Sequence, residues 1–298
     1  MRRLHLFEIA DKEWCPHSLR GTVTDYIQFG VTMWKSDIAM ASLLRQALDR
    51  LGVHHVVDLC SGSGGPWLGM IKFFEDTHPP VTVCLTDKYP NIPALQYVCD
   101  HSAGNLGFSP EPVDAAKVPR ALNGFRTLCA AFHHFRPPEA RAILRDAANS
   151  QQGIAIFEIT ERTFRTILIF IGVSLIMPFC IPFFRPFRWS RLMWTYVIPV
   201  APVVQFYDSL ISCLRTYSPS ELQELTKDLH KEYIWETGAI KAPHSPVPIS
   251  YLLGYRQQAE FGTRKNIGDG KHMGLTAVQT GAETESGESL REYRHDMG

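Results

Sequence analysis

A chain of 298 residues with 45% apolar and 20% charged side chains is long enough for one large globular domain with elaborations, and it excludes a chain disordered throughout. Its 30 basic and 30 acidic residues cancel to zero net charge, which gives no electrostatic case for general nucleic-acid binding. The 7 cysteines are scattered with no CxxC pair, and no apolar signal segment opens the chain, so reduced thiols facing the cytosol are expected rather than a disulfide framework.

Residues 1–50 read as an α-helical cover. Leu19–Phe29 and Ile38–Leu51 carry apolar residues at mixed three and four spacing. Trp14, Tyr26 and Phe29 lie in this stretch; such aromatics are either core or the lining of a substrate mouth.

The next stretch, His55 to Gly65, is HVVDLCSGSGG. The β-branched pair Val56 and Val57 suits a buried strand ending at Asp58, and Pro66 opens a helix in its favoured first turn. A strand, a glycine-rich turn and a helix let backbone approach a ligand closely, here at Gly62 and Gly64. A second strand, Val81–Asp87, also closes on an acid, 29 positions after Asp58 and placed to accept hydrogen bonds from ribose hydroxyls.

The run Asp58, Leu59, Cys60, Ser61, Gly62, Ser63, Gly64 resembles the first motif of class I S-adenosylmethionine-dependent methyltransferases, an acid followed by Gly-x-Gly-x-Gly; Cys60 departs from the first glycine. The resemblance implies an α/β, Rossmann-like three-layer sandwich with a mainly parallel seven-stranded sheet. It also implies S-adenosyl-L-methionine as cofactor, held by Asp58, Cys60, Ser61, Gly62, Gly64, Asp87, Lys88, Asp114 and Ala115. In that family an acid followed by a small residue after the third strand often contacts the adenine, which is the ground for Asp114-Ala115. The alternative for Asp114 is a simple loop acid.

The chain from 54 to 160 alternates strand and helix, as a parallel sheet covered on both faces requires. Ile92–Cys99 reads as a helix and Phe108–Val113 as a short strand. Arg126–Phe132 reads as strand four, followed by His133 and His134. Many methyltransferases of this class carry a His at this edge, so His133 and His134 are the catalytic candidates. No Asn-Pro-Pro-Tyr-like motif follows, which argues against a DNA-adenine methylase. On extended chain, adjacent histidines point to opposite faces, so one is expected to act as general base and the other to be structural. No metal is expected, because no nearby Cys or His spacing completes a tetrahedral set. Pro137–Ala148 is helical, and strand five, Gly153–Glu158, ends on another acid, so Glu158 and Glu161 either bind substrate or cap a loop.

The alternation then breaks. Thr166 to Phe184 holds 19 residues without a charge, Arg185, Arg188 and Arg191 follow, and Leu192 to Phe206 is a second apolar run. The first run just reaches the length that spans a bilayer. Both ends of the insertion return to one domain, and a full hairpin would carry three arginines across, so shallow or re-entrant insertion is expected. The alternative is a soluble hydrophobic lid. Ser218-Pro219-Ser220-Glu221 is a capping box opening a helix through Leu229. Tyr233–Gly238 and Ile249–Tyr255 are two late strands, resembling the antiparallel finish of the family's sheet. The expected organisation is therefore a helical cover at 1–50, a methyltransferase domain at 51–161 and 213–256, a membrane-associated insertion at 162–212 and a disordered tail at 257–298.

These readings lead to methyl transfer to a hydrophobic small-molecule or lipid-like acceptor at a membrane, O-methylation being favoured, with the catalytic domain facing the cytosol. Membrane lipid and that acceptor are the expected partners, without nucleic acid. A membrane-associated binding or scaffold protein that keeps the fold without turnover, or a non-methylating use of the same cofactor site, are the alternatives.

Overall fold

The computed structural model describes residues 1–75, 77–184 and 187–257. The tail expected at 257–298 lies, from residue 258 onward, outside them. Two helices come first, α1 (His17–Met33) and α2 (Ser36–Leu51), the second closed by Gly52 in the left-handed region at φ 64°. Then follow β1 (His55–Asp58), a short α3 (Trp67–Met70) that tightens into a 3-10 turn, β2 (Thr82–Leu85) and α4 (Ile92–Asp100). Next are β3 (Leu106–Phe108), β4 (Phe125–Cys129), α5 (Pro137–Asn149) and β5 (Ile154–Glu158). The insertion holds α6 (Phe164–Cys180), α7 (Trp189–Leu192) and α8 (Val200–Arg215). The chain returns through α9 (Pro219–Thr226), with the Ser218–Glu221 capping box in place, to β6 (Tyr233–Ile240) and β7 (Ile249–Arg256).

The seven strands lie in the order β3-β2-β1-β4-β5-β7-β6. The first five are parallel; β7 runs antiparallel to both β5 and β6, so the sheet is mixed. This is the Rossmann-like methyltransferase fold. Alternation along each strand splits the core between the two faces. Val56, Ala155 and Phe157 pack with Leu44, Leu48, Trp67 and Phe74 on one side. Val57, Ile154 and Ile156 pack with Ile143, Leu144 and Leu225 on the other. Strand order reverses between β1 and β4, and ligands of open α/β sheets bind beyond the carboxyl ends at that point.

Two boundaries differ from expectation in ways that matter. The third strand lies at 106–108 rather than 108–113, because Pro110 and Pro112 offer no N–H to a ladder. Strand four stops at Cys129 instead of Phe132: Ala130 takes a left-handed φ of 52°, and Phe132–His134 coil into a 3-10 turn.

The insertion packs on the N-terminal cover rather than standing apart. Leu19, Val23 and Tyr26 of α1 share a third apolar cluster with Met177, Ile181, Phe184, Ala201 and Val204. The Tyr26 and Thr195 hydroxyls lie 2.6 Å apart, Phe29 stacks on Phe184 at 4.3 Å, and Arg191 Nε donates to Asp25 at 2.6 Å. The segment before α1 straps across α8: Ile9 and Ala10 donate their N–H groups to the Asp208 carboxylate at 2.7 and 2.9 Å.

Candidate active site

The glycine turn sits at the carboxyl end of β1. Asp58 is buried; its two oxygens accept from the Thr127 and Ser61 hydroxyls, each at 2.6 Å. Burial pushes its carboxyl up to about 6, against the lowering effect of those two hydroxyls. Asp58 is thus a brace that ties β1, β4 and the turn together. Cys60 takes φ 59°, the left-handed backbone that a glycine ordinarily supplies, so the departure from the family motif changes the side chain and not the path.

Gly62 and Gly64 play different parts. A Cβ on Gly62 would meet nothing within 4 Å, so its backbone faces open space. A Cβ on Gly64 would lie 2.7 Å from Val98 Cγ2, so that glycine serves the packing of the turn on α4 rather than ligand approach. Asp87 stands beside the turn and accepts from the Gly62 and Tyr89 N–H groups, both at 2.8 Å. Lys88 pairs with Asp114 at 3.3 Å on the exposed rim, and Asp114 also accepts from the Ala116 N–H, which with Lys88 holds its carboxyl below the ordinary range. Ala115 is buried behind them. Gly62, Asp87, Lys88 and Asp114 thus lie near one another at the surface, with Asp58, Ser61 and Ala115 buried behind them. The open backbone at Gly62 flanked by a carboxylate fits the ribose and methionine parts of a nucleoside cofactor.

A cavity of about 280 Å³ lies over the carboxyl ends of β4 and β5, roofed by α1, α6 and α8. Val23 and Val31 of α1, Trp34 just after it, and Phe170, Val173 and Met177 of α6 make its apolar lining. Its polar end holds Glu8, Asp11, His133, His134 and Asp208. Ala130 lines it too and connects it to β4, the neighbour of β1.

Both histidines address this one place, against the expectation of opposite faces, because they sit on a 3-10 turn and not on extended chain. Their ring centroids are 4.3 Å apart. His133 is buried with Nδ1 2.8 Å from Glu158 Oε2 and Nε2 3.6 Å from Glu8 Oε1. Its burial favours the neutral ring, but Glu158 and Glu8 outweigh that and push it up to about 10. Both ring nitrogens of His133 thus face carboxylates inside the protein, Glu158 and Glu8. His134 pairs through Nδ1 with Asp11 at 3.0 Å and is partly exposed to the cavity. Burial raises the Glu8 and Asp11 carboxyls, and the two histidines more than offset it, so both lie below the ordinary range. Arg215 Nη1 closes the cluster, 3.2 Å from Glu8.

No family model matches the chain, and no curated protein is similar to it in sequence. Solved structures are similar in chain path. An O-methyltransferase family protein from Burkholderia thailandensis matches over 75% of this chain and 59% of its own, at 17% identity and TM-score 0.41. The mitomycin 7-O-methyltransferase MmcR matches over 80% and 54%, at 15% identity and TM-score 0.45. An O-methyltransferase from neocarzinostatin biosynthesis, in complex with S-adenosylmethionine and 2-hydroxy-5-methyl naphthoic acid, matches over 73% and 56%, at 15% identity and TM-score 0.41. The likeness is one of fold. The chain spans somewhat more than half the length of each of these three proteins.

Sequence spacing singled out the turn, Asp87, Glu158 and the histidines as candidates, and passed over Glu8, Asp11, Asp208, Ser212 and Arg215. Glu8 and Asp11 come from an irregular strap with no periodicity to flag them. Asp208, Ser212 and Arg215 were detectable: with Gln205 they repeat at three and four spacing inside an apolar run, marking a polar face of α8 that points into the protein.

Glu161, the other acid after β5, accepts from the Ser250 hydroxyl at 3.4 Å and stays outside the cavity. His55 pairs through Nδ1 with the Thr82 hydroxyl at 2.9 Å on the far side of the strand.

Proposed function

We propose that the protein transfers a methyl group from S-adenosylmethionine to a hydrophobic acceptor at a membrane surface. The observation that carries the first half is the placement of the glycine turn. It stands where strand order reverses in a β3-β2-β1-β4-β5-β7-β6 sheet, with Gly62 open and Asp87 beside it. The cofactor supplies an already electrophilic methyl group, so this chain's work is mostly alignment. Asp87 would accept from the ribose hydroxyls, Lys88, Asp114 and Ala115 would border the base, and the turn backbone would hold the methionine part.

The acceptor side follows from the cavity over β4 and β5. Its apolar lining beside a polar cluster suits an amphiphile whose hydroxyl lodges among Glu8, Asp11 and His134. His134, oriented by Asp11, is the histidine placed to receive a proton there, and His133, gripped by Glu158, fixes the turn that carries it.

The membrane half rests on α6. Among the described residues one helix, Phe164–Phe183 of 20 residues, is long and apolar enough to cross a bilayer, and only 28% of its apolar window is buried. A core helix of the same composition would be mostly covered. Leu175, Phe179, Phe183 and Trp189 are 69–77% exposed, forming an outer apolar face. The pair Trp189–Val197 and Val200–Arg215 bends by 84°, which favours a shallow or re-entrant hairpin over a straight span.

The deciding experiment incubates purified protein and detergent-solubilised lipid or polyketide-like acceptors with labelled S-adenosylmethionine. S-adenosylhomocysteine formation that depends on an apolar acceptor supports the reading. Cofactor binding without turnover on any acceptor favours a scaffold role instead.

A further inference from the structure

The polar end of the cavity has a geometry that methyl transfer alone does not call for. His133 and His134 each turn Nδ1 onto a carboxylate, Glu158 at 2.8 Å and Asp11 at 3.0 Å, and each turns Nε2 toward a third carboxylate, Glu8. The Nε2 atoms stand 3.6 and 4.0 Å from the two Glu8 oxygens. Carboxylates behind both Nδ1 atoms fix tautomer and ring direction, which is how metal-ligating histidines are ordinarily oriented. One donor atom from each of Glu8, His133 and His134 falls within 4.8 Å of the others. Bonds of roughly 2.0–2.2 Å to a tetrahedral ion put donor atoms about 3.3–3.6 Å apart, so the widest pair in the cluster would close by up to about 1.2–1.5 Å, a side-chain adjustment, on binding.

A second observation is independent of that clustering. His133 is 4% exposed, and its Nε2 is buried with no hydrogen-bond partner. It is aimed at the cavity end where Glu8 stands. Glu8 Oε1 is engaged by the Ser212 hydroxyl at 3.0 Å and by Arg215 at 3.2 Å, and Oε2 is the oxygen toward His134. Four carboxylates, Glu8, Asp11, Glu158 and Asp208, gather here with the guanidinium of Arg215 among them, and both rings must be neutral to ligate. A divalent cation fits that charge balance.

We propose that Glu8, His133 and His134 bind a first-row divalent transition-metal ion at the polar end of the cavity, with its remaining positions open to the acceptor. Two imidazole nitrogens and one carboxylate select zinc or its first-row neighbours over magnesium or calcium, which prefer all-oxygen sites. Such an ion would hold and orient an acceptor hydroxyl, with His134 then a ligand; the base role given to His134 above belongs to the metal-free site. That use rests on the methyl-transfer reading; the metal site itself does not.

The test is calorimetric titration of the full chain, stripped with chelator, with zinc chloride and in parallel with magnesium chloride. One zinc per chain at micromolar affinity or tighter, without comparable magnesium binding, is the expected result. His134→Ala and Glu8→Gln should each weaken zinc binding about tenfold to a hundredfold. Circular dichroism establishes that each variant is folded, and His133→Gln, which keeps a donor to Glu158, is the further variant should either unfold. Cobalt(II) substitution should give visible d–d absorption that these variants lose. The proposal is overturned if the intact protein binds no zinc, or if zinc binding is unchanged in all three variants and so belongs to other histidines. S-adenosylmethionine affinity, measured separately, distinguishes failure here from failure of the methyl-transfer reading.

Discussion

Glu158 grips His133 twice, accepting from its backbone N–H at 2.9 Å and standing 2.8 Å from its Nδ1. The last residue of β5 thereby fixes the turn that follows β4, and with it the floor of the cavity. In metal-free protein the paired ring, pushed from 6.5 up to about 10, contributes stability that is complete below pH 6.5 and is lost as pH rises through 10. Glu158→Gln removes the charge and should flatten the fall in stability between those values, at a cost on the order of a few kcal/mol near neutrality. Urea melts of both proteins from pH 6 to 10 measure this; parallel pH profiles would refute it.

The two glycines of the turn should separate fold from binding. Gly62→Ala places a methyl group in open space at φ 55°, costing about 1 kcal/mol of stability but weakening S-adenosylmethionine binding roughly tenfold or more. Gly64→Ala drives Cβ against Val98 and should instead lower the melting temperature, by the equivalent of about 1–3 kcal/mol. Calorimetry and thermal melts on the pair decide the assignment; equal cofactor affinity in Gly62→Ala and the parent would remove the turn from the binding site.

Membrane contact is testable without deleting the insertion, which would strip the apolar partners of α1. The double variant Phe179→Glu and Trp189→Glu alters only exposed side chains. Co-sedimentation with lipid vesicles should drop several-fold, since each charge opposes insertion by roughly 2 kcal/mol or more, while thermal stability stays level. Unchanged sedimentation would make the outer face of α6 a lid surface.

On the far side of β4, Arg126 is buried within the sheet and its Nη1 donates to Asp146 of α5 at 2.7 Å. Asp146→Ala leaves that guanidinium without its carboxylate and should destabilise the fold by on the order of 3 kcal/mol, with the cavity untouched. A loss under 1 kcal/mol in chemical denaturation would show that water reaches the arginine.

Much of this architecture was legible because it is local. Val56-Val57 before a glycine cluster, the Ser218–Glu221 box and the proline-led α5 announce their elements in short windows. The end of β4 was not legible, since Ala130, Ala131 and Phe132 continue an apolar run, and only the left-handed φ of Ala130 turns the chain. That one dihedral converts two histidines from opposite faces to a common one. Glu8 and Arg215 lie 207 positions apart, and no spacing rule joins residues so far apart.

α6 has two apolar faces with different neighbours. Phe170, Val173 and Met177 line the cavity, whereas Leu168, Leu175 and Phe179 point outward. A single helix thickness, about 10 Å, separates the cavity from the outer surface. For an acceptor dissolved in that surface, availability is a mole fraction among lipids and not a molarity in water. Adding inert lipid at constant acceptor would then slow turnover by surface dilution, and an aqueous KM for such a compound would depend on the amount of membrane in the tube.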